Sequence, residues 1–512
     1  MMNKLSLPNW QKKEDAKRRI WAIVLCAVFA IPLVGVGAYF VHGFVSEELS
    51  IERIGKDIYV RAGGDLQAAL HRAQPGDRIL LQAGAEFRGP YTLPVKSGAE
   101  FITIRSSVSD ASLPARDERI DPKKYASKLP RLISTTTDPV VNIVNGAHHY
   151  RFVGVEFGGT KDGFFNIVQI GTTEEEKLSD IPHHIEFDRV FIHATSPNGQ
   201  RRGIAANGRN LVIKNSHISG IVRKGEESQA IAVWGSNGPV EIINNYLEAG
   251  AENILFGGAS SKLKLVPTDC VVRGNTLNKP VEWRGKRWLV KNLFEIKNGK
   301  NITVTDNIMT NNWAMGQDGT AVLFTVREDN GPATRIENVL FQNNVIRGSG
   351  GALSVYGDEG SGGHRLTIRN NLFADIDGRK WGGSGQFLKV SDWQGLVIEN
   401  NTVIHNGNIT TAYGEPVNGF IFRNNIVFNN DYGMIGDDAS PGKETLDRYF
   451  PRARVERNIF VGGSERLYGR SNFYVKSIDQ IGFTDREAYR LTAGNRFEKK
   501  GHEGKPIGYV AK

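Results

Sequence analysis

The segment from Glu252 to Arg327 carries the densest set of side chains able to do acid–base or ion-pair chemistry. It includes Glu252, Lys262, Lys264, Glu282, Lys286, Lys291, Glu295 and Lys297, with Trp283 and Trp288 among them. Lys297 and Arg327 stand 30 residues apart, and Glu295 precedes the first of them by two positions. Two cations held about 5 Å apart repel unless an anion lies between them. Glu295 is one candidate for that anion, and a substrate carboxylate is another. The pattern suits elimination on a uronate chain. That reaction needs the carboxylate neutralised, a base for the ring proton beside it and an acid for the leaving oxygen. Lys297, Arg327 and Glu295 are therefore the catalytic candidates. Trp283, Lys291, Tyr356, Lys389 and Trp234 are the substrate-binding ones, because aromatic faces stack on sugar rings and cations pair with carboxylates. The bland alternative is a solvated salt-bridge row of Glu295 and Lys297.

Other chemistries would need other residues. Hydrolysis uses carboxylates facing each other across a cleft, and Ca2+ uses several oxygen ligands. Asp318, Asp358, Glu359 and Asp392 fall at strand ends and are the candidates for either role, each also readable as a turn residue in solvent; Ca2+ stays an open expectation. His148-His149 and His183-His184 each precede a strand with no Asp or Glu at zinc-motif spacing, so no metal ligand is assigned to them. A serine nucleophile elbow, a P-loop and a dinucleotide fingerprint are all absent from the sequence. The excess of Lys and Arg over Asp and Glu, 64 − 55 = +9, suits an acidic partner. An acidic polysaccharide is the expected partner, and nucleic acid is not.

These residues sit on a repeat of the form apolar-x-apolar-x-Asn-Asn-x-apolar. Its second Asn falls at 245, 275, 307, 344, 371, 401 and 425, with intervals from 24 to 37 residues. Within each unit the apolar residues alternate with period two and are rich in Val and Ile, which predicts short strands rather than solenoid helices. Strands that recur one coil apart must run parallel, so the chain is predicted to be an all-β parallel β-helix of about 13 coils over residues 58 to 463, stacked at ~4.8 Å. Asn tolerates the left-handed backbone of a tight corner, and its amide can bond to the coils on either side. A second strand recurs between the Asn corners, as in Leu293-Phe-Glu-Ile-Lys297 and Ala321-Val-Leu-Phe-Thr-Val-Arg327. Alternation turns Phe294, Ile296, Phe324 and Val326 inward, and leaves Trp234, Glu295, Lys297, Thr325, Arg327, Tyr356 and Lys389 as one outward row. That row is predicted to floor a groove walled by the insertions around Trp283–Trp288 and Trp313–Asp318.

The ends of such a stack need covering, because open coils expose unpaired backbone. Asp65 to Ala73 reads as a short helix with Leu66, Ala69, Leu70 and Ala73 on one face, capped by Gly64 or Asp65; it is expected to close the N-terminal end. Residues 464–512 lose the repeat and are expected to close the other. Before the solenoid, Ile20 to Val45 holds no Asp, Glu, Lys or Arg over 26 residues, with five Lys or Arg between Lys12 and Arg19 and with Glu47 and Glu48 after it. That is enough for one transmembrane helix with the N-terminus cytoplasmic. The organisation is thus a basic tail at 1–19, a span at 20–45, a linker at 46–57, the coils and the cap. It places the coils outside the cytoplasm on the inner membrane, with cleavage of a signal peptide as the alternative.

The segment Gly64-Asp-Leu-Gln-Ala-Ala-Leu followed by Gln74-Pro-Gly-Asp-Arg-Ile-Leu-Leu resembles the opening of bacterial right-handed β-helix proteins of the pectate-lyase-like superfamily. Tyr489-Arg-Leu491 and Gly504-Lys-Pro-Ile-Gly508 resemble their closing segment. The resemblance implies a right-handed coil and a carbohydrate-facing groove along one parallel sheet. It leaves the reaction open, because the superfamily includes lyases, hydrolases, epimerases, esterases and noncatalytic members, and the Asp-rich strand motifs of well-characterised pectate lyases and polygalacturonases are missing here. The reading that follows is an anchored β-helix acting on or binding an acidic polysaccharide, by lyase elimination in the first instance. A noncatalytic glycan-binding scaffold and a polysaccharide hydrolase are the alternatives.

Overall fold

The computed structural model describes residues 55–485 and 487–511. The predicted tail and span, 1–19 and 20–45, and most of the linker lie outside the described residues. Among the described residues, no helix is long and apolar enough to cross a membrane.

The alternating Val, Ile and Phe residues build three long parallel sheets of 15, 14 and 12 strands. One coil contributes a strand to each in turn: Gly299–Thr305 to the first sheet, Ile308–Asn312 to the second and Thr320–Thr325 to the third. In the first sheet 14 of the 15 strands follow one another in a single stack, against the 13 or so coils expected, and Val417–Asn418 pairs beside Trp393–Glu399. Inward side chains of all three sheets form one continuous core running from Val60 to Tyr468. Phe294, Phe324 and Phe341 show how it is filled, with ring centroids 6.4 and 5.9 Å apart in edge-on contact.

The two Asn residues of each corner divide the work. The first, at Asn244, Asn343, Asn370, Asn400 and Asn424, takes the left-handed backbone with φ between 52° and 58°. Gly274, Asp306 and Arg457 fill the same slot on other coils. The second Asn points inward and is buried. The Asn344 Nδ2 donates to Asn371 Oδ1 at 3.1 Å and to Val304 O at 3.0 Å, while its backbone N–H donates to the same Asn371 oxygen at 2.9 Å. The pattern repeats from Asn245 to Asn425 as expected, and it continues through Asn458 to Asn472, about ten residues past the point where the repeat was expected to stop.

Helix Leu66–Arg72 covers the first coils, with the Asp65 carboxylate accepting the Ala68 N–H at 2.9 Å and Leu66, Ala69 and Leu70 buried on the core. At the other end the tail doubles back along the outside of the Asn corner. Gly508 N–H donates to Asn424 O at 2.7 Å, Asn400 Nδ2 donates to Pro506 O at 2.8 Å, and Val510 N–H donates to Asn370 Oδ1 at 2.7 Å. Segment 501–510 therefore adds partners to left-handed Asn residues whose side chains also bond from coil to coil.

Between the second and third sheets a lysine does what Asn does elsewhere. Lys279 is fully buried, and its ammonium donates to the carbonyls of Ala249, Gly250 and Ala251 at 2.7–2.9 Å and to Asn253 Oδ1 at 3.2 Å. Burial pulls its pKa down from 10.5 to about 7, against the pull of the Glu252 carboxylate. The folded state then binds fewer protons than the unfolded chain between those two values, so stability is expected to rise with pH across the window from about 7 to 10.5. Denaturant titrations in that window should show the slope in the native protein and lose it in Lys279→Met.

Candidate functional site

The outer face of the third sheet is where ionisable groups gather, and they do so in two layers. The lower layer is buried. Glu252, Asn292 and Gln229 stand in register on consecutive coils. Lys291 places its ammonium 2.8 Å from Glu252 and 2.7 Å from Glu227. Burial opposes the charge on Lys291, but these two carboxylates outweigh it and hold its pKa above the ordinary lysine value. The same ammonium fills the space between Glu227 and Glu252, so they are a counter-ion pair rather than carboxylates facing across a cleft.

Glu295 lies next in this layer and is 2% exposed. Asn292 Nδ2 donates to it at 2.7 Å, the Thr325 hydroxyl donates at 3.1 Å, and the Lys297 ammonium stands 3.9 Å away. Burial raises the Glu295 pKa above the usual carboxylate range; Lys297 pulls it back, Glu252 adds to the rise, and Lys291 and Thr325 offset part of it. Lys297 rises from this layer beside Gly258, whose missing side chain leaves room for it: a Cβ there would meet the Lys297 Cδ at 3.4 Å.

The upper layer is open to solvent and forms hollows along the sheet. A hollow of about 390 Å3 is lined by Gln317, Asp318, Leu323, Thr325, Arg327, Ser354, Tyr356, Lys389 and Tyr413. Arg327 lies over the Tyr356 ring at 5.0 Å, Tyr356 and Tyr413 are parallel with centroids 6.4 Å apart, and the Lys389 ammonium lies 5.3 Å above Tyr413. Partial burial and the neighbouring Asp358 and Glu359 carboxylates raise the Tyr356 pKa, so its hydroxyl keeps its proton at neutral pH. Towards the N-terminal coils a larger hollow of about 800 Å3 is lined by Trp234, Arg202, Asn166, Phe164, Phe165 and Glu227 among others, with the Arg202 guanidinium 4.8 Å above the Trp234 ring. Gly257 and Gly258 belong to its wall.

The expected single outward row is in fact two. Register pairs Leu255 with Glu295, then Leu323, Ser354 and Lys389, whereas Thr325 pairs with Tyr356 and Ser391. The coil from Glu295 to Leu323 is 28 residues, not 30, which shifts the two sets against each other. Lys297 and Arg327 remain backbone neighbours, since Arg327 N–H donates to Lys297 O at 3.2 Å. Arg327 binds Glu359 at 2.6 Å, so Glu359 and not Glu295 is its anion.

Two of the proposed substrate contacts are not in the hollows. Trp283 packs against Val290, Trp313 and Trp381 in a small apolar cluster, because Arg284 reaches Lys380 O at 2.7 Å and folds the insertion onto the second-sheet side. Lys291 is consumed by Glu227 and Glu252. Of the expected Trp313–Asp318 wall, Gln317 and Asp318 line the 390 Å3 hollow, whereas Trp313 is buried in the apolar cluster. Trp313, Trp381 and Trp393 are buried, and Trp381 Nε1 donates to Asp375 Oδ2 at 3.0 Å. Asp318, Asp358, Glu359 and Asp392 do not assemble into a three-ligand group; among the described residues the one such group is His148, His149 and His183. Tyr413, Ser354, Arg202 and Gln229 were missed. Tyr413 lies two positions past Thr411, the register partner of Lys389 on the next coil.

Comparison with known proteins agrees with this geometry. Residues 229–416 match the family model described as a right handed beta helix region. No curated protein sequence matches the chain. Among solved structures the chain is similar to the PL6 family alginate lyase AlyGC, with 16% identity and a TM-score of 0.56 over 88% of this chain and 57% of that one. It is also similar to the PL6 family polysaccharide lyase Pedsa3628 from Pseudopedobacter saltans, with 12% identity and a TM-score of 0.46 over 88% of this chain and 98% of that one. The chain spans little more than half the length of AlyGC. The parallel register of all three sheets, the capping helix and the matched region together make this chain a right-handed parallel β-helix.

Proposed function

We propose that the groove on the third sheet binds a chain of uronate sugars and cleaves it by β-elimination. The observation that carries this reading is the platform of Arg327, Tyr356, Lys389 and Tyr413, whose hollow is joined through Thr325 to the buried Glu295 with Lys297 beside it. Tyr356 and Tyr413 offer faces for sugar rings, and Arg327 and Lys389 supply positive charge for a carboxylate. The Arg327–Glu359 pair is half open to solvent, so a substrate carboxylate can take the place of Glu359.

The roles follow from this arrangement. Arg327 and Lys389 neutralise the carboxylate and so stabilise the carbanion that forms next to it. Lys297, held 3.9 Å from the buried Glu295 carboxylate, is the group that takes the ring proton. The electron pair released forms a carbon–carbon double bond as the glycosidic C–O bond breaks, and the Tyr356 hydroxyl protonates the leaving oxygen. The similarity to a chain described as an alginate lyase supports the same substrate class, and the uncharged run from Ile20 to Val45 supports an extracytoplasmic site of action.

The test is to incubate the full-length protein with alginate and with polyuronates of other epimeric composition, and to follow ultraviolet absorbance of the double bond conjugated to the carboxylate. Absorbance should rise for at least one polymer. Glu295→Gln is expected to lower kcat about 10²–10⁴-fold, since it removes the carboxylate beside the base, while the fold is retained because the amide oxygen can still accept from Thr325 or Asn292. Cleavage that yields reducing ends without the absorbance would identify a hydrolase and overturn the elimination reading.

A further inference from the structure

We propose that a second site, on the first sheet, binds a divalent transition-metal ion of borderline softness such as Zn2+, Ni2+ or Cu2+ through His148, His149 and His183. Strands His148–Val153 and His183–Asp188 are neighbours, and their first residues pair in register. The two His-His pairs therefore stack coil on coil: His148 on His183 with centroids 4.6 Å apart, and His149 on His184 at 4.4 Å, both nearly parallel.

The backbone makes the rings of each pair converge. His149 and His184 have φ of 57° and 53°, in the left-handed region. A single residue of this kind in a strand turns two consecutive side chains to the same side. The result is that Nδ1 of His148 faces Nδ1 of His149 at 2.7 Å, and the same atoms of His183 and His184 face each other at 2.7 Å. Metal–nitrogen bonds of ~2.0–2.1 Å place two ligand nitrogens of one ion roughly 3 Å apart. A facing pair at 2.7 Å needs to open by only a few tenths of an ångström. The ligand atoms of His148, His149 and His183 all lie within 4.8 Å of one another.

The fourth histidine has a different part. Asn210 Nδ2 lies 3.0 Å from Nε2 of His184. That contact engages Nε2 of His184 and fixes its ring beside the other three, outside the ligand set. The same left-handed column on later coils holds Asp269, Asn301 and Asn338, where side-chain amides bond from coil to coil: Asn301 to Asp269 at 2.8 Å and Asn338 to Asn301 at 2.9 Å. Imidazoles replace that ladder only at the two coils where a second histidine precedes them.

The ligand class follows from what surrounds the cluster. Arg209 is close enough to act on His148, His183 and His184, and the Glu100 carboxylate acts on His149. A nearby guanidinium disfavours any ion held by charge alone, and no second carboxylate joins the three imidazoles. Hard ions such as Ca2+ and Mg2+ are therefore poor candidates, and ions that form strong imidazole bonds are good ones. All four rings are partly exposed, and His184 borders a hollow of about 290 Å3 through which water can complete the coordination.

The experiment is a titration of full-length protein, purified without a polyhistidine tag and stripped with chelator, with Zn2+ and with Ni2+ in competition with a chromophoric chelator. One equivalent should bind, and excess Ca2+ or Mg2+ should not displace it. His148→Ala and His183→Ala should each weaken binding at least about tenfold. His149→Asn should do the same while folding normally, because Asn serves at the equivalent position on later coils. Cu2+ bound to the native protein should give the electron-spin signature of several nitrogen ligands. Absence of stoichiometric binding, or a well-folded His149→Asn with native affinity, would overturn the proposal.

Discussion

Arg327→Ala is expected to lower kcat on a responsive polyuronate about 10²–10³-fold, the usual cost of removing one donor aimed at developing negative charge. Its melting temperature should hardly move. The guanidinium is 44% exposed and its partner Glu359 is 32% exposed, so the ion pair contributes at most about 1 kcal/mol to stability. Lys389→Ala should have a smaller effect, because its ammonium stands over Tyr413 at the far side of the hollow from Thr325. Lys297→Ala should equal or exceed Arg327→Ala, as it removes the base. The split between kcat and KM carries the information. If Arg327 binds ground state and transition state alike, KM rises and kcat is spared. If the platform only holds a glycan, the variant loses affinity for acidic polymers and no double-bond product forms with the native protein either. Native turnover by both Lys297→Ala and Arg327→Ala would remove the groove from consideration as the site of elimination.

How far the sequence reaches here depends on the type of residue. The Asn corners are legible because one physical demand, a left-handed residue followed by a buried amide, recurs on coil after coil. The inward Phe294, Ile296, Phe324 and Val326 are legible for the same reason, since alternation within a strand does not depend on coil length. What joins one coil to the next does depend on it. Lys297 and Arg327 were placed side by side by assuming a 30-residue coil, and a 28-residue step between Glu295 and Leu323 sends Arg327 to Glu359 instead. Trp234 ends an alternating segment and faces a hollow as its register predicts, whereas Trp283 and Trp381 lie between strands, where alternation does not place them, and both join the cluster around Val290. The two His-His pairs match no zinc motif in sequence, yet their 35-residue separation is one coil, and that is what stacks them in register.

The largest effect on stability is expected at the Asn column. Asn344 is fully buried, and four polar groups depend on its side chain. Its Oδ1 accepts the Asn307 backbone N–H at 3.0 Å and Asn307 Nδ2 at 2.9 Å; its Nδ2 serves Val304 O and Asn371 Oδ1. Asn344→Ala strands all four in the core, where a buried group left without its partner costs about 1–3 kcal/mol. Relaxation and the second bonds that Asn307 and Asn371 retain make the losses less than additive, so the net cost is expected to be about 3 kcal/mol. Denaturant unfolding of the native protein and the variant measures it. Asn343→Gly is the control one residue away. Asn343 has φ of 55°, which glycine adopts without strain, and its side chain is tied by one bond from Asn370 Nδ2 at 2.8 Å. Its cost should stay near or below about 1 kcal/mol. The contrast separates the two duties of the corner: the first Asn shapes the turn and is replaceable by any residue that tolerates that backbone, as Gly274 and Asp306 already do, whereas the second holds two coils together through bonds no other uncharged side chain of its size can make. Equal effects at 343 and 344 would mean that the corner is stabilised by its backbone alone.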